Sequence, residues 1–395
     1  MTVRVLFFVE GFTDIRFLVG LSEVCELTVA LPERAYQASG LAGRVAASGA
    51  RIQVVAIPGG RAAFQLRSWS YLWRHAHEFD VILAQEMLRG ALNATIVGAL
   101  KGVPVVTYMG ISPIEYFRCR RERGQLGAVS AWLGELAIRT LMTINGALAT
   151  RALVMGPYLT QVAAPFSARV AMGRYYGVDT TQFRPAGAEE RQALRARLDL
   201  PASRFLVLLS SRISHEKDPE TVLRAVARVR EQGIDAVVLN LSGGYRDFLA
   251  LAGTLGLDNP ASWVLAREAV HPMEGLADYY RTADVLAQGS LAEGLGLSPL
   301  EALACDTPVV ATEIGGLAAH LGPFAALTPR RDDGAMTAAL MRVARNPAAA
   351  RLHAQRGRAY VAATWSRDAA FRELQAVLTD AATTGVGRTV REEHA

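Results

Sequence analysis

The chain alternates short apolar runs with longer stretches whose apolar positions recur every three or four residues. Residues 3–9 (VRVLFFV), 26–31 (ELTVAL), 52–57 (IQVVAI), 80–84 (DVILA) and 103–108 (VPVVTY) are brief and mostly rich in Val and Ile. Continuous apolar runs of this length predict strands buried on both faces. Their alternation with helix-period sequence predicts βαβ units around a parallel sheet. A long helix is predicted over residues 128–148, followed by strand-like sequence at 151–155 and within 168–179.

Residues 177–190 (GVDTTQFRPAGAEE) are polar and carry Gly and Pro, the pattern of a junction between domains. A second βα series follows it. Residues 204–210 (RFLVLLS) form its first strand, and AVVLNLSGG, SWVLA, DVLAQGS, TPVVAT and FAALT supply the others. Residues 218–233 predict a helix, with Asp218 as N-cap, Pro219 at the first position and Gly233 as the stop. From 332 to 383 the pattern is almost wholly helical, and the end, GVGRTVREEHA, predicts fraying. The expected architecture is α/β, with two doubly wound Rossmann-like domains facing a central cleft. The first spans 1–180 and the second 181–365; a helix over 366–384 follows, and 385–395 form a flexible tail. In such folds ligands bind outside the carboxyl ends of the strands.

Composition sharpens this picture. At 395 residues and 51% apolar content, the chain is too long for one ordinary core and too apolar to be disordered. Its most apolar long stretch, 126–148, is interrupted by Glu135 and Arg139, which argues against a membrane span. The apolar run after Arg4 is short and soon meets Glu10, which fits a buried first strand better than a signal peptide. Cys25, Cys119 and Cys305 are odd in number and far apart, which fits a reducing cytoplasm without disulfides or zinc. The net charge of +5 is uneven. Residues 1–180 hold 18 Lys plus Arg against 12 Asp plus Glu, and 181–395 hold 24 against 25. Arg118, Arg120, Arg121 and Arg123 concentrate the positive charge. They fit phosphates, acidic substrates or an anionic membrane surface, or simply a solvated loop. The next segment, AVSAWLGELAIRTLMTI, is a candidate membrane dock. Core positions on a long helix are the preferred reading of Trp132, Leu133, Leu136 and Leu141.

Candidate chemistry gathers in the second half. Of 42 basic residues only Lys101 and Lys217 are lysine. Lys217 follows Arg212 by five residues in a loop that runs from a strand's carboxyl end to a helix start. Two cations beside a helix N-terminus suit a diphosphate, the Arg as a two-pronged grip and the Lys as a compact charge. Residues 289–316 (GSLAEGLGLSPLEALACDTPVVATEIGG) place Glu293 before a glycine-spaced turn and Glu301 eight residues on. Gly294 and Gly296 let backbone approach a ligand. Carboxylates at an anion site suit the hydroxyls of a sugar, although Ser298-x-x-Glu301 also reads as a capping box.

Taken together, these pieces resemble family 4 of the retaining glycosyltransferases (the glycosyl transferases group 1), which have the two-domain GT-B fold. SRISHEKD carries the R-x4-K spacing, and residues 289–316 are similar to the E-x7-E segment almost throughout. YYGVDTTQFRP, LNLSGGYRDFLALAGTLGL and LADYYRTADVLAQGS fit as well, and WSRDAAFRELQAVL resembles the family's C-terminal helix, which implies that 366–384 cross back to the first domain. The match is close from 175 to about 378 and architectural before that. The resemblance implies transfer of a sugar from a nucleotide-diphosphate sugar, with UDP or GDP favoured, to a hydroxyl on a glycan, lipid-linked or small-molecule acceptor. Configuration would be retained, with no metal and no other cofactor. Arg212 and Lys217 would hold the diphosphate, Glu293 the sugar hydroxyls and Glu301 the ribose diol. Backbone of Gly294, Leu295, Gly296 and Leu297 would face sugar and phosphate, and Leu265 to Arg267 the base. Two departures stand out. TYMG places Met109 where the family often has His, and VEGFTD has only Gly11 where the family's loop is glycine-rich. A degenerate, non-catalytic nucleotide-sugar-binding protein is therefore the alternative. A nicotinamide oxidoreductase is disfavoured, because VEGFTD lacks G-x-G-x-x-G.

Overall fold

The computed structural model describes residues 2–11, 14–122, 127–241, 245–267, 273 and 275–392. It divides into two compact units. The first comprises Met1–Phe117, Leu126–Tyr176 and Asp368–Ala395, and the second Arg118–Gln125 and Gly177–Arg367.

The first unit is built on a parallel sheet of β1 (Arg4–Phe8), β2 (Glu26–Pro32), β3 (Ile52–Ile57), β4 (Val81–Gln85), β5 (Val105–Met109), β6 (Arg151–Met155) and β7 (Val170–Gly173). Its spatial order is β3-β2-β1-β4-β5-β6-β7. Leu6, Phe7, Ile82, Leu83, Val106 and Val154 on the central strands are fully buried, as continuous apolar runs require when helices cover both faces. The helix Arg367–Glu392 adds to this unit: Phe371 lies so close to Gly20 that a side chain there would overlap its ring, and Arg151 pairs with Asp380 at 2.8 Å.

The second unit carries β8 (Phe205–Leu209), β9 (Ala236–Asn240), β10 (Val264–Ala266), β11 (Val285–Gln288), β12 (Val309–Thr312) and β13 (Ala326–Thr328), all parallel, in the order β10-β9-β8-β11-β12-β13. This is the doubly wound order, whose switch point lies between β8 and β11. A mostly buried anion fixes that junction from below. Asp284 accepts the Leu206 N–H at 2.7 Å and pairs with Arg191 at 2.7 Å and Arg195 at 2.8 Å. Burial works against the Asp284 carboxylate, but the arginine charges and hydrogen bonds outweigh it and hold its pKa below the usual range.

One sequence expectation is overturned. The helix Ala128–Leu148 forms, but Trp132, Leu133 and Leu136 are 64%, 52% and 47% exposed, and Leu141 is only half-buried. The helix buries Ala131, Met142, Asn145 and Gly146 instead. Small residues allow close backbone packing, so the small face turns inward and the large apolar face outward. At Gly146, an added Cβ would lie 2.0 Å from the Phe166 carbonyl oxygen.

Candidate active site

The loops that leave β8 and β11 stand side by side at the switch point. After β8 the chain makes one tight turn, His215–Lys217, and enters the helix Pro219–Glu231 through Asp218 in the left-handed conformation. The Thr221 hydroxyl donates to the Asp218 carboxylate at 2.6 Å and braces the entry. Lys217 thereby ends at the helix mouth. Its Nζ donates to Glu293 Oε2 at 2.7 Å, and both side chains are mostly buried. Gln288 Nε2 donates to the same oxygen at 2.7 Å.

Backbone contacts fix this pair. The Leu291 N–H donates to the Glu216 carbonyl at 2.7 Å, joining the two loops directly. A Cβ on Gly289 would lie 2.5 Å from the Asp218 carbonyl oxygen, so only glycine permits that approach. The Gly316 N–H donates to the Glu293 carbonyl at 2.9 Å, and a Cβ on Gly316 would lie 2.0 Å from the Gly294 carbonyl oxygen. Glu293 is therefore held from both sides by main chain.

Arg212 takes a different position. It is 67% exposed and pairs with Glu216 Oε1 at 2.9 Å. Burial works against the Glu216 carboxylate, but its hydrogen bonds and the Arg212 charge outweigh burial and hold its pKa below the usual range. An ion pair with so exposed a partner is worth about 0–1 kcal/mol, so an arriving dianion can recruit the guanidinium.

The helix Leu297–Ala304 starts after Gly296, whose φ is +83°, and no side chain caps it. The capping box read from Ser298 and Glu301 is not formed, because the helix begins before Ser298. The N–H groups of Leu297 and Ser298 begin the helix uncapped, while Pro299 has none to offer. Glu301 is 2% exposed in the following turn. Burial, then the Glu301 charge, drives the Tyr280 phenol well above its usual pKa, and Ser210, Ser298 and Glu301 all hydrogen-bond that phenol. Gly294, Leu295 and Gly296 are buried and Leu297 is half-buried.

Lys217, Glu293 and the Gly294–Leu297 backbone thus come together, with Glu301 one turn behind and Arg212 at the edge. Leu265 and Arg267 do not join them. Leu265 lies on edge strand β10, two strands from β8, and the Arg267 guanidinium is committed to the carbonyls of Leu198 and Asp199 at 3.2 and 2.8 Å. Met109 is buried at the end of β5 in the first unit. Arg118, Arg120 and Arg121 are exposed; Arg123, and Phe12 and Thr13 of VEGFTD, lie outside the described residues.

Sequence reading missed Gln288, Gly289, Tyr280 and His320. The buried His320 is held near a pKa of about 4, chiefly by desolvation, with the Gly316 backbone and the Glu293 charge opposing, and it packs 5.3 Å from the Trp365 ring. The nearest signal was Gln288-Gly289-Ser290 leading straight to Glu293.

The profile of the family Glycosyl transferases group 1 matches residues 190–360. The matched segment contains both residues of the Lys217–Glu293 pair and both loops. Among curated relatives, a D-inositol 3-phosphate glycosyltransferase of Arthrobacter sp. is 39% identical over 147 residues, 36% of this chain and 33% of that one. A D-inositol 3-phosphate glycosyltransferase 1 of Catenulispora acidiphila is 30% identical over 254 residues, 61% of this chain and 57% of that one. The chain therefore spans from a third to just over half of the length of these relatives. Similarity to solved structures covers both units. Sucrose-phosphate synthase of Thermosynechococcus elongatus superposes with a TM-score of 0.75 at 18% identity, covering 95% of this chain and 98% of that one. HepE of Anabaena in complex with UDP superposes with a TM-score of 0.73 at 16% identity, covering 95% and 100%. Both likenesses show a shared GT-B fold.

Proposed function

We propose that the protein is a retaining glycosyltransferase that moves a sugar from a nucleotide-diphosphate sugar to an acceptor hydroxyl without a metal ion. The observation that carries this reading is the Lys217–Glu293 pair, locked by backbone at the switch point within the segment that matches the group 1 glycosyl transferases. In this reading the donor diphosphate takes Lys217 from Glu293 and recruits Arg212, with the Leu295–Leu297 backbone beside it. Glu293, released, accepts hydrogen bonds from the sugar hydroxyls, and Glu301 accepts them from the ribose. The acceptor oxygen bonds to the anomeric carbon from the face that the phosphate leaves. The carbon–oxygen bond to the diphosphate breaks, and the hydroxyl proton passes to the departing phosphate oxygen. Two cations offset the growing negative charge on that phosphate. A UDP-sugar is the favoured donor over GDP, because HepE, of the same fold, is solved with UDP and with UDP-glucose.

Thermal-shift screening against UDP-, GDP- and ADP-sugars, followed by transfer assays, tests the reading. Stabilisation by a nucleotide sugar with no turnover would instead support the degenerate, binding-only alternative. Activity that survives chelation supports the metal-free route, and dependence on magnesium overturns it.

A peripheral contact with an anionic membrane from the cytoplasmic side belongs to the same proposal. It is favoured by the exposure of Trp132, Leu133 and Leu136 along one helix and by the exposed Arg118, Arg120 and Arg121 just before it in sequence. Among the described residues, no helix is long and apolar enough to cross a membrane.

A further inference from the structure

The second unit carries a small pocket of about 160 Å³ at the opposite end of its sheet from the Lys217–Glu293 loops. Ala283 and Thr307 lie in its wall, each two residues ahead of β11 and β12, so the pocket sits at the amino ends of those strands. The donor chemistry at the carboxyl ends has no use for it.

Three helices each bring one guanidinium to the wall. Arg191 comes from Ala188–Arg197, Arg281 from Leu276–Thr282 and Arg351 from Pro347–Thr364. The carboxylates around them are already shared. Asp284 pairs with Arg191 at 2.7 Å and Arg195 at 2.8 Å, and it reaches Arg351 only at 4.0 Å. Glu190 is divided between Arg184 and Arg281. Asp306, the carboxylate in the wall, contacts Arg358 at 3.2 Å. Arg351 is left without a close counter-ion among the described residues.

Two observations point to an anion that meets this excess. The Arg351 guanidinium is half-buried, and desolvation followed by the Arg191 charge lowers its pKa, with Asp284 opposing. Arg281 is 8% exposed, and its Nε is buried with no hydrogen-bond partner among the described residues. A buried donor left unpaired is costly. Arg191 donates from Nε and Nη2 to the Thr282 carbonyl and to Asp284, which leaves its Nη1 uncommitted.

We propose that this pocket binds inorganic phosphate, held by Arg191, Arg281 and Arg351. Guanidiniums arriving from three helices match oxygens arranged in three dimensions, whereas a carboxylate offers two oxygens in one plane. The volume lies below the range of about 300–1,000 Å³ that drug-sized ligands occupy, which excludes a nucleotide. Asp306 separates phosphate from sulfate. Burial raises its pKa, with Arg358 and Arg351 opposing, and a more basic carboxylate is a better acceptor. Monohydrogen phosphate has a hydroxyl to donate to it, and sulfate has none. Binding here does not depend on the proposed sugar transfer.

The test is calorimetric titration of the full chain near neutral pH, without any donor, with inorganic phosphate, sulfate and acetate at matched ionic strength. Phosphate binds to the parent and to Lys217→Ala alike. Sulfate binds more weakly, and acetate more weakly still. Arg351→Gln weakens phosphate binding by about fivefold or more. Gln355→Glu, a change of similar shape at an exposed helix position in the wall, weakens it too by adding a negative charge. No binding of phosphate overturns the proposal. So does binding that Arg351→Gln and Gln355→Glu both leave unaltered, or binding lost in Lys217→Ala alone, which would place the phosphate in the donor site. Acetate binding as tightly overturns the tetrahedral preference, and sulfate binding as tightly overturns the hydrogen bond to Asp306.

Discussion

The loops at the carboxyl ends of the two sheets are built on opposite plans. In the second unit they are joined to each other by main chain, from Leu291 to Glu216 and from Gly316 to Glu293, and Lys217 and Glu293 between them are paired and mostly buried. In the first unit the loops surround an open cavity, and Arg34 and Arg61, which line it, have no ion-pair partner among the described residues. On the proposed function Lys217 meets the same diphosphate at every turnover, and it gains from a fixed frame because the ordering cost is met when the protein folds. A pocket that sets ligand choice needs only the right charges on its rim, and sequence can vary there at little cost to stability.

The sharpest way to break this contrast is to add one methyl group to the fixed side. Gly316→Ala puts a Cβ 2.0 Å from the Gly294 carbonyl oxygen, and neither segment can yield without moving Glu293. A loss of about 3 kcal/mol or more in chemical denaturation is expected, together with loss of turnover. A melting temperature and activity like wild type would show that the frame is looser than described.

The two units also respond to pH in opposite directions. The Glu86 carboxyl is raised from 4.5 to about 8, so its contribution is present below pH 4.5 and is lost as pH rises towards 8. His320 is lowered from 6.5 to about 4, so its contribution is present above pH 6.5 and is lost as pH falls towards 4. The full shifts correspond to about 5 and about 3 kcal/mol, of which roughly 2 to 3 kcal/mol falls within the pH ranges named next. Glu86→Gln should flatten the decline in melting temperature from pH 6.5 to 8, and His320→Leu the decline from pH 6.5 to 4. The same slopes in variant and parent would remove these assignments.

Next comes the ion pair itself. Lys217→Ala should lower turnover by at least about tenfold, roughly 1.4 kcal/mol, with the fold kept. Unchanged turnover would strip Lys217 of its role at the leaving group. The smallest effect on the folded protein is expected from Leu136→Ser, within about 0.5 kcal/mol of wild type because the side chain faces solvent. The same change should cut co-sedimentation with anionic liposomes; equal pelleting, or no pelleting of the parent at low salt, would end the membrane proposal.

Much of this was legible before any coordinates. The strands at 52–57 and 151–155 and the helix at 128–148 fall where the apolar pattern puts them, since a buried parallel strand leaves a strong local signal. Arg212, Lys217, Glu293 and Glu301 were singled out by their spacing along the chain, and the structure puts Lys217 in contact with Glu293. Other features are set by distance in space. Gly289 meets Asp218 across 71 positions, and the first unit's cavity collects residues from 10 to 90. A periodic apolar face reads the same whether it turns inward or outward, so Trp132 and Leu136 were misread. Only the small residues opposite them, Ala131 and Gly146, decide which side packs.

The contact between Lys217 and Glu293 also governs which molecules the site can keep. A ligand that brings only phosphate takes the lysine away and strands a carboxylate with Gln288 as its neighbour. One that brings phosphate and hydroxyl donors together satisfies both members at once. On the proposed function the pair works as a coincidence detector: it would admit an intact nucleotide sugar, and once the sugar has left it would close again and help to expel the spent nucleotide.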